Sequence, residues 1–421
     1  MWKTLKYVIL IIGAAFYIAA YSTACGGENP SSIDSEMDAQ VKDGELRDVD
    51  IPDAEPADAQ PPDAEIDPTW CQDPDNPLVF PGTDPNGVKI PGTGEGRFTS
   101  ASWSENYVVF SESSDSSISV VNIFDLDLWT KIFSTSPEHF ATSVTIDKNE
   151  VLWSDSRYPG DEGPQTDIIH YDISTGIETR WTDTPDLVEF PVILKEDYLL
   201  YNTIPVEGPT LRKIYLVELS TWDSTLIATS EVGRGAEGFD MSDKYISWVA
   251  HPYYMAPNRH VYYYNIETGE TSFLETTGPG LGYGTGVDGE RIVWEDRRNG
   301  NWDIYMYDIQ TGEETLLTPN PYDQKHPRIT GNNVVFQDYR YTKGHYGGCF
   351  CHLSILDVST MTLRRITSNP LFWRSGARRI INRNLLAIQV EEHRVYSLWL
   401  FDLVEMGILD STGKHVIPKD D

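Results

Sequence analysis

A short apolar strand that returns every 42 to 51 residues constrains this chain more than any other feature. It reads Tyr107–Phe110, Glu150–Trp153, Tyr198–Tyr201, Tyr245–Trp248, Arg291–Trp294, Asn333–Phe336 and, in a weaker form, Asn384–Ala387. Seven units fit that spacing, and no other count does so without splitting one. Each anchor is followed by a second alternating strand and a tight turn, clearest in Ile168–Gly176, Val261–Gly269 and Ile304–Gly312. Period-two alternation suits a strand with two different faces, and the terminal Thr-Gly supplies a turn position that tolerates positive φ.

A third strand follows each turn, as in Glu313–Thr318, and a fourth precedes each anchor, as in His326–Thr330 and Phe190–Leu194. Four short strands per unit predict an all-β fold, a seven-bladed β-propeller of four-stranded antiparallel blades over residues 96–421. A solenoid of the same units would expose two apolar ends, whereas a closed ring buries them. The ring can close in two ways: Ser411–Pro418 supplies the last outer strand, or residues 71–95, a lead-in or closing segment, add one across the seam. Trp294–Thr318, with its run Asp296-Arg297-Arg298-Asn299-Gly300-Asn301-Trp302-Asp303-Ile304-Tyr305, is very similar to the repeat of TolB-like (WD40-like) propellers. The resemblance covers about 320 residues. It implies six or more blades and a protein-binding platform.

The first residues stand apart from the repeat. Lys3 and Lys6 precede an apolar run, Tyr7–Tyr21, that ends in Ser22-Thr23-Ala24-Cys25. The run is short for a bilayer span and lacks a basic stop-transfer cluster, so residues 1–24 read as an export signal. The end of the run resembles the lipobox of bacterial lipoproteins, with Ser22 where Leu is usual, which implies lipidation at Cys25. Gly26 after it implies the outer membrane, on its periplasmic or surface side. Residues 25–70 are rich in Asp, Glu, Pro, Ala and Ser, and their fourteen acids face only Lys42 and Arg47, which predicts a disordered, self-repelling tether. Of the chain's net charge of −33, residues 71–421 carry −23. That field argues against nucleic-acid partners.

Candidate chemistry falls where units differ. Asp296, Arg297, Arg298, Gly300 and Asp303 suit a surface ion or ligand site, but Asp155 with Arg157 and Asp338 with Arg340 recur at the same position, as a fold device must and a catalytic site need not. The acidic loops, with Asp155, Asp161, Glu162 and Asp167 in unit two, read first as solvated; Ca²⁺ is the alternative, although no EF-hand run is present. The insertion Gly344–His352 holds His345, Cys349, Cys351 and His352, all competent zinc ligands, but Cys-x-Cys is tight for zinc and export favours oxidation. A disulfide from Cys71 to Cys349 or Cys351 is the simpler reading, and it leaves one thiol over. Tyr253, Tyr254, Met255, Phe372 and Trp373 are large apolar groups outside the clear strands and suit a partner-binding patch as well as they suit packing under loops. No Gly-x-Ser-x-Gly elbow, phosphate loop or His-Glu-x-x-His motif occurs, so no catalytic residue is assigned and no small-molecule cofactor is expected. The expected function is a membrane-anchored, non-catalytic platform for a protein or glycan. The rival is a carbohydrate-active enzyme, such as a propeller polysaccharide lyase, using the channel mouth and a divalent metal.

Overall fold

The computed structural model describes residues 86–93, 97–113, 119–158, 165–206, 211–231, 236–251, 259–274, 281–340, 351–367, 373–377, 384–390 and 396–416. Cys25, Cys71, the signal and the tether lie outside them. The described elements are all β-strands, arranged in seven four-stranded antiparallel sheets. Six of these are consecutive in sequence, spanning 97–134, 141–180, 187–231, 237–274, 281–316 and 324–365. The seventh takes three strands from 373–402 and its fourth from the other end of the chain, where Val88–Lys89 pairs with Leu400 and Trp399. The described residues of the Ser411–Pro418 segment, 411–416, do not form that outer strand; His415 instead bridges back to Leu409.

Alternation explains how the sheets stack. In the first sheet Val108 and Phe110 point into the cluster shared with the last sheet, while Val109 points into the cluster shared with the second. In the second, Val151 and Trp153 face back and Leu152 faces forward. The fifth repeats the pattern with Ile292 and Trp294 against Val293. Each anchor strand is therefore buried on both faces, which is why it reads as a continuous apolar run. Seven apolar clusters result, each between neighbouring sheets, and the one holding Ile90, Trp103, Phe110 and Leu398 joins the last sheet to the first. The outer strands, such as Thr130–Ser134 and Ile177–Arg180, are mostly exposed.

The turn after each anchor's partner strand is closed by a capping side chain. Asp308 Oδ1 accepts from the Gln310 and Thr311 amides at 3.0 and 2.9 Å, and Gly312 follows at φ 73°. Gly176 and Gly269 take the same place, but Trp129, Trp222 and Met361 hold it with φ of 51°, 62° and 55°. The innermost strands share a second device, a register shift near mid-strand, with left-handed backbone at Ser143, Gly238 and His326.

Candidate binding mouth

Antiparallel order fixes which connections share a face. The links from second to third strands and from each fourth strand to the next sheet all open at one mouth. They include 114–118, 156–166, 251–259, 297–302, 341–351 and 366–372. The other face carries mostly short turns, of two residues at 148–149, 196–197, 289–290 and 331–332 and of four at 126–129, 173–176 and 219–222. That turn face is tied from sheet to sheet: Ser104 to the Lys148 carbonyl (3.0 Å), the Glu196 amide to Asp147 (2.9 Å), Lys244 to Glu290 (2.7 Å) and the Gly331 amide to Asp288 (2.6 Å).

The recurring Asp and Arg stand at the mouth as construction. Asp155, Asp296 and Asp338 are buried, and Arg157, Arg298 and Arg340 grip them at 2.5, 2.6 and 2.8 Å. Arg298 rather than Arg297 is the partner, holding Asp296 through Nε and Nη2 and reaching Glu314 at 2.6 Å. Asp303 takes the Asn299 and Asn301 amides, around Gly300 at φ 101°.

Three buried glutamates are more individual, and the sequence reading did not single them out. Glu295 accepts from the His326 backbone amide, and His326 Nδ1 lies 3.9 Å from the same oxygen. Only glycine fits at position 282, since a Cβ there would stand 1.8 Å from Glu295 Oε1. Burial pulls the His326 imidazole below its ordinary range, with Glu295 opposing the shift. In the fourth sheet Arg259 stands 3.6 Å from Glu237 and donates through Nε to His251 at 3.3 Å. Glu189, in the third sheet, is pushed up to about 7 by burial, against the pull of the Thr182 hydroxyl. The signal that would have found them is departure from the repeat: a carboxylate where sister units carry apolar or neutral residues.

The structure separates the other candidates. Cys351 packs in the apolar cluster between the sixth and seventh sheets with Leu353, Trp399 and Phe401. His352 is buried, its Nδ1 3.0 Å from the Thr367 carbonyl. His345, Cys349, Tyr253, Tyr254, Met255 and Phe372 lie outside the described residues, as do Asp161 and Glu162, but the strand ends flanking them all meet this mouth. Trp373, expected in a loop, instead opens the innermost strand of the seventh sheet, paired with Gln389. In the second sheet, His170 stacks on Trp181 and bonds to Glu150. Among the described residues no three His, Cys, Asp or Glu side chains converge to hold a metal ion.

No protein-family model and no curated protein matches the chain. Among solved structures, the β-propeller domain of the Trilobed protease from Pyrococcus furiosus, which has an open velcro topology, is 13% identical with a TM-score of 0.54, over 74% of this chain and 94% of that one. The fold is that of a β-propeller. A puromycin-hydrolysing peptidase from Mycobacterium tuberculosis gives the same score at 13% identity over 76% of this chain, which spans about half of the peptidase's length (54%). TolB from Acinetobacter baumannii is 20% identical over 67% of this chain and 66% of that one, at a TM-score of 0.40 that is too low to argue from. At such identities the likeness shows the fold alone. The described residues contain no α/β-hydrolase portion.

Proposed function

We propose that the chain is a seven-bladed, TolB-like propeller acting as a non-catalytic platform, which binds a protein or glycan partner over the mouth that carries the long connections. The observation that carries this reading is the inequality of the two faces. The longest connections, 156–166, 251–259 and 341–351, belong to one mouth, while most first-to-second strand links on the other face are turns of two or three residues, and that face is bonded across sheets. Variable loops on a rigid scaffold are where recognition is normally placed. In this reading residues 1–24 export the chain, lipid on Cys25 and the acidic segment 25–70 hold the ring to the outer membrane, and a disulfide from Cys71 to Cys349 or Cys351 ties the tether's end to the ring.

The test is crosslinking and capture from solubilised membranes with the tether retained, using the intact chain and a variant whose 252–258 connection is replaced by a short Gly-Ser link. Capture of a defined partner by the intact chain, and its loss from a folded mouth variant, is the expected result. No partner, or equal capture by both chains, would overturn the proposal.

A further inference from the structure

Gln165, Asp167 and Glu189 are 5%, 0% and 2% exposed, and each has a buried side-chain oxygen with no hydrogen-bond partner: Gln165 Oε1, Asp167 Oδ1 and Glu189 Oε2. Leaving three such acceptors dry in a folded protein is costly. They belong to one place. Thr166, between Gln165 and Asp167, donates through Oγ1 to the Glu189 carbonyl and accepts from the Glu189 amide, both at 3.1 Å, and Ser154 Oγ adds a 2.6 Å bond to the same carbonyl.

The fold does not require this arrangement. Asp167 pairs across its sheet with Asp155 as Asp303 does with Asp296, yet Asp303 is satisfied by two asparagine amides. Opposite Asp155, Asp296 and Asp338 the innermost strands place Ala141, Leu281 and Gln324; the matching residue of the third sheet, opposite Thr203, is Glu189. A carboxylate thus stands beside an aspartate whose Oδ1 has no donor. The two nearby guanidinium groups leave those three oxygens without a donor. Arg157 holds Asp155 and Glu178, and Arg180 holds Asp167 Oδ2 at 2.9 Å and Asp183 at 2.7 Å while lying over the Tyr158 ring. Five carboxylates therefore face two guanidinium groups.

We infer that Gln165, Asp167 and Glu189 form a binding site for one divalent cation of the oxygen-preferring kind, Ca²⁺ or Mg²⁺, between the second and third sheets at the loop-bearing mouth. Two carboxylate oxygens and an amide oxygen are hard ligands that suit such ions and not the softer metals. Water completes the coordination, which places the affinity in the weak range, roughly 10⁻⁴ to 10⁻³ M, of extracellular Ca²⁺ modules. Asp155 is outside the set, since both its oxygens are engaged, Oδ2 by Arg157 and the Trp153 indole N–H and Oδ1 by the Arg157 amide, whereas Asp167 keeps Oδ1 without a donor.

The experiment is calorimetric titration of the chelator-stripped full chain with Ca²⁺ and, separately, Mg²⁺, paired with thermal melts with and without the metal. Three proteins are compared: the wild type, Glu189→Gln, and Glu178→Gln, which removes a charge from the same neighbourhood but not a proposed ligand. The wild type should bind one ion and gain melting temperature; Glu189→Gln should fold yet bind at least tenfold more weakly with no melting shift; Glu178→Gln should change affinity less than threefold. No binding by the wild type at millimolar metal, which would make the site a buried-water pocket, overturns the inference. So does unchanged affinity in Glu189→Gln, or an equal loss in both variants.

Discussion

Glu189 is the residue at which burial and charge are most at odds, and it makes the stability of the whole chain depend on pH. Burial raises it from an ordinary 4.5 to about 7, so in that window the folded state holds a proton that the unfolded state has released. Stability therefore falls as pH rises from 4.5 to about 7 and then levels off. Glu189→Gln removes the penalty: in metal-free buffer the variant should exceed the wild type by up to about 3 kcal/mol at pH 8 and match it at pH 4, measured by urea unfolding. Asp172 has the opposite sign. Hydrogen bonds from Ser174 and Thr175 hold it at about 2, so its contribution is present at neutral pH and is lost as pH falls through that value. Arg298→Ala should cost about 3 kcal/mol in the same assay, because it strands Asp296 at 0% exposure, and Arg298→Lys should recover only part of the loss, since one ammonium cannot replace two donors. The Asp-Arg pairs were legible in the sequence because recurrence marks a construction device. Glu189 was not: in the run Leu187–Leu194 it looks like an ordinary polar residue in an alternating strand, and its burial comes from Thr166 of the preceding sheet, 23 positions away.

At the scale of the element, anchor strands and their partners could be read directly, since burial between two sheets forces a double-faced apolar pattern that no solvent-facing strand shows. The mid-strand register shifts could not. Ser143 and His326 take positive φ without glycine, so nothing in their identity announces the bulge; the close packing of neighbouring inner strands imposes it. The turns mix both cases. Gly176, Gly269 and Gly312 announce a left-handed position, while Met361 conceals the same geometry under a side chain that is 49% exposed. Met361→Gly should relieve that strain and stabilise the chain by about 1 kcal/mol, checked as a rise in urea midpoint with unchanged slope. Glycine's greater freedom in the unfolded state offsets part of the gain.

For the whole molecule, the ring was legible, while its seam was legible only as one of two alternatives, a closing strand from 71–95, where Val88–Lys89 lies, or from Ser411–Pro418. A two-residue strand such as Val88–Lys89 has no periodicity to detect, and its role depends on Leu400, more than 300 residues later. Ile90 anchors it, with 0% exposure and its amide bonded to the Leu398 carbonyl at 2.8 Å. Ile90→Ala should cost about 3 kcal/mol, more than an equivalent truncation in an outer strand, and should lower the unfolding midpoint cooperatively instead of loosening one sheet. Such a result would show that the seam sets the stability of the entire ring.

The same strand has a mechanical meaning. It runs antiparallel to its neighbour, from the turn face toward the mouth, so a chain held by its N-terminus is held from the side away from any partner seated over the loops. A pull between the two acts along the strand. The pairing of Val88–Lys89 with Leu400 and Trp399 and the Ile90 amide bond to the Leu398 carbonyl are then loaded together in shear, with Ile90 as a plug between the last sheet and the first. The seam that closes the propeller is thus also where tension enters it, and its geometry is the one in which a few short bonds resist force best.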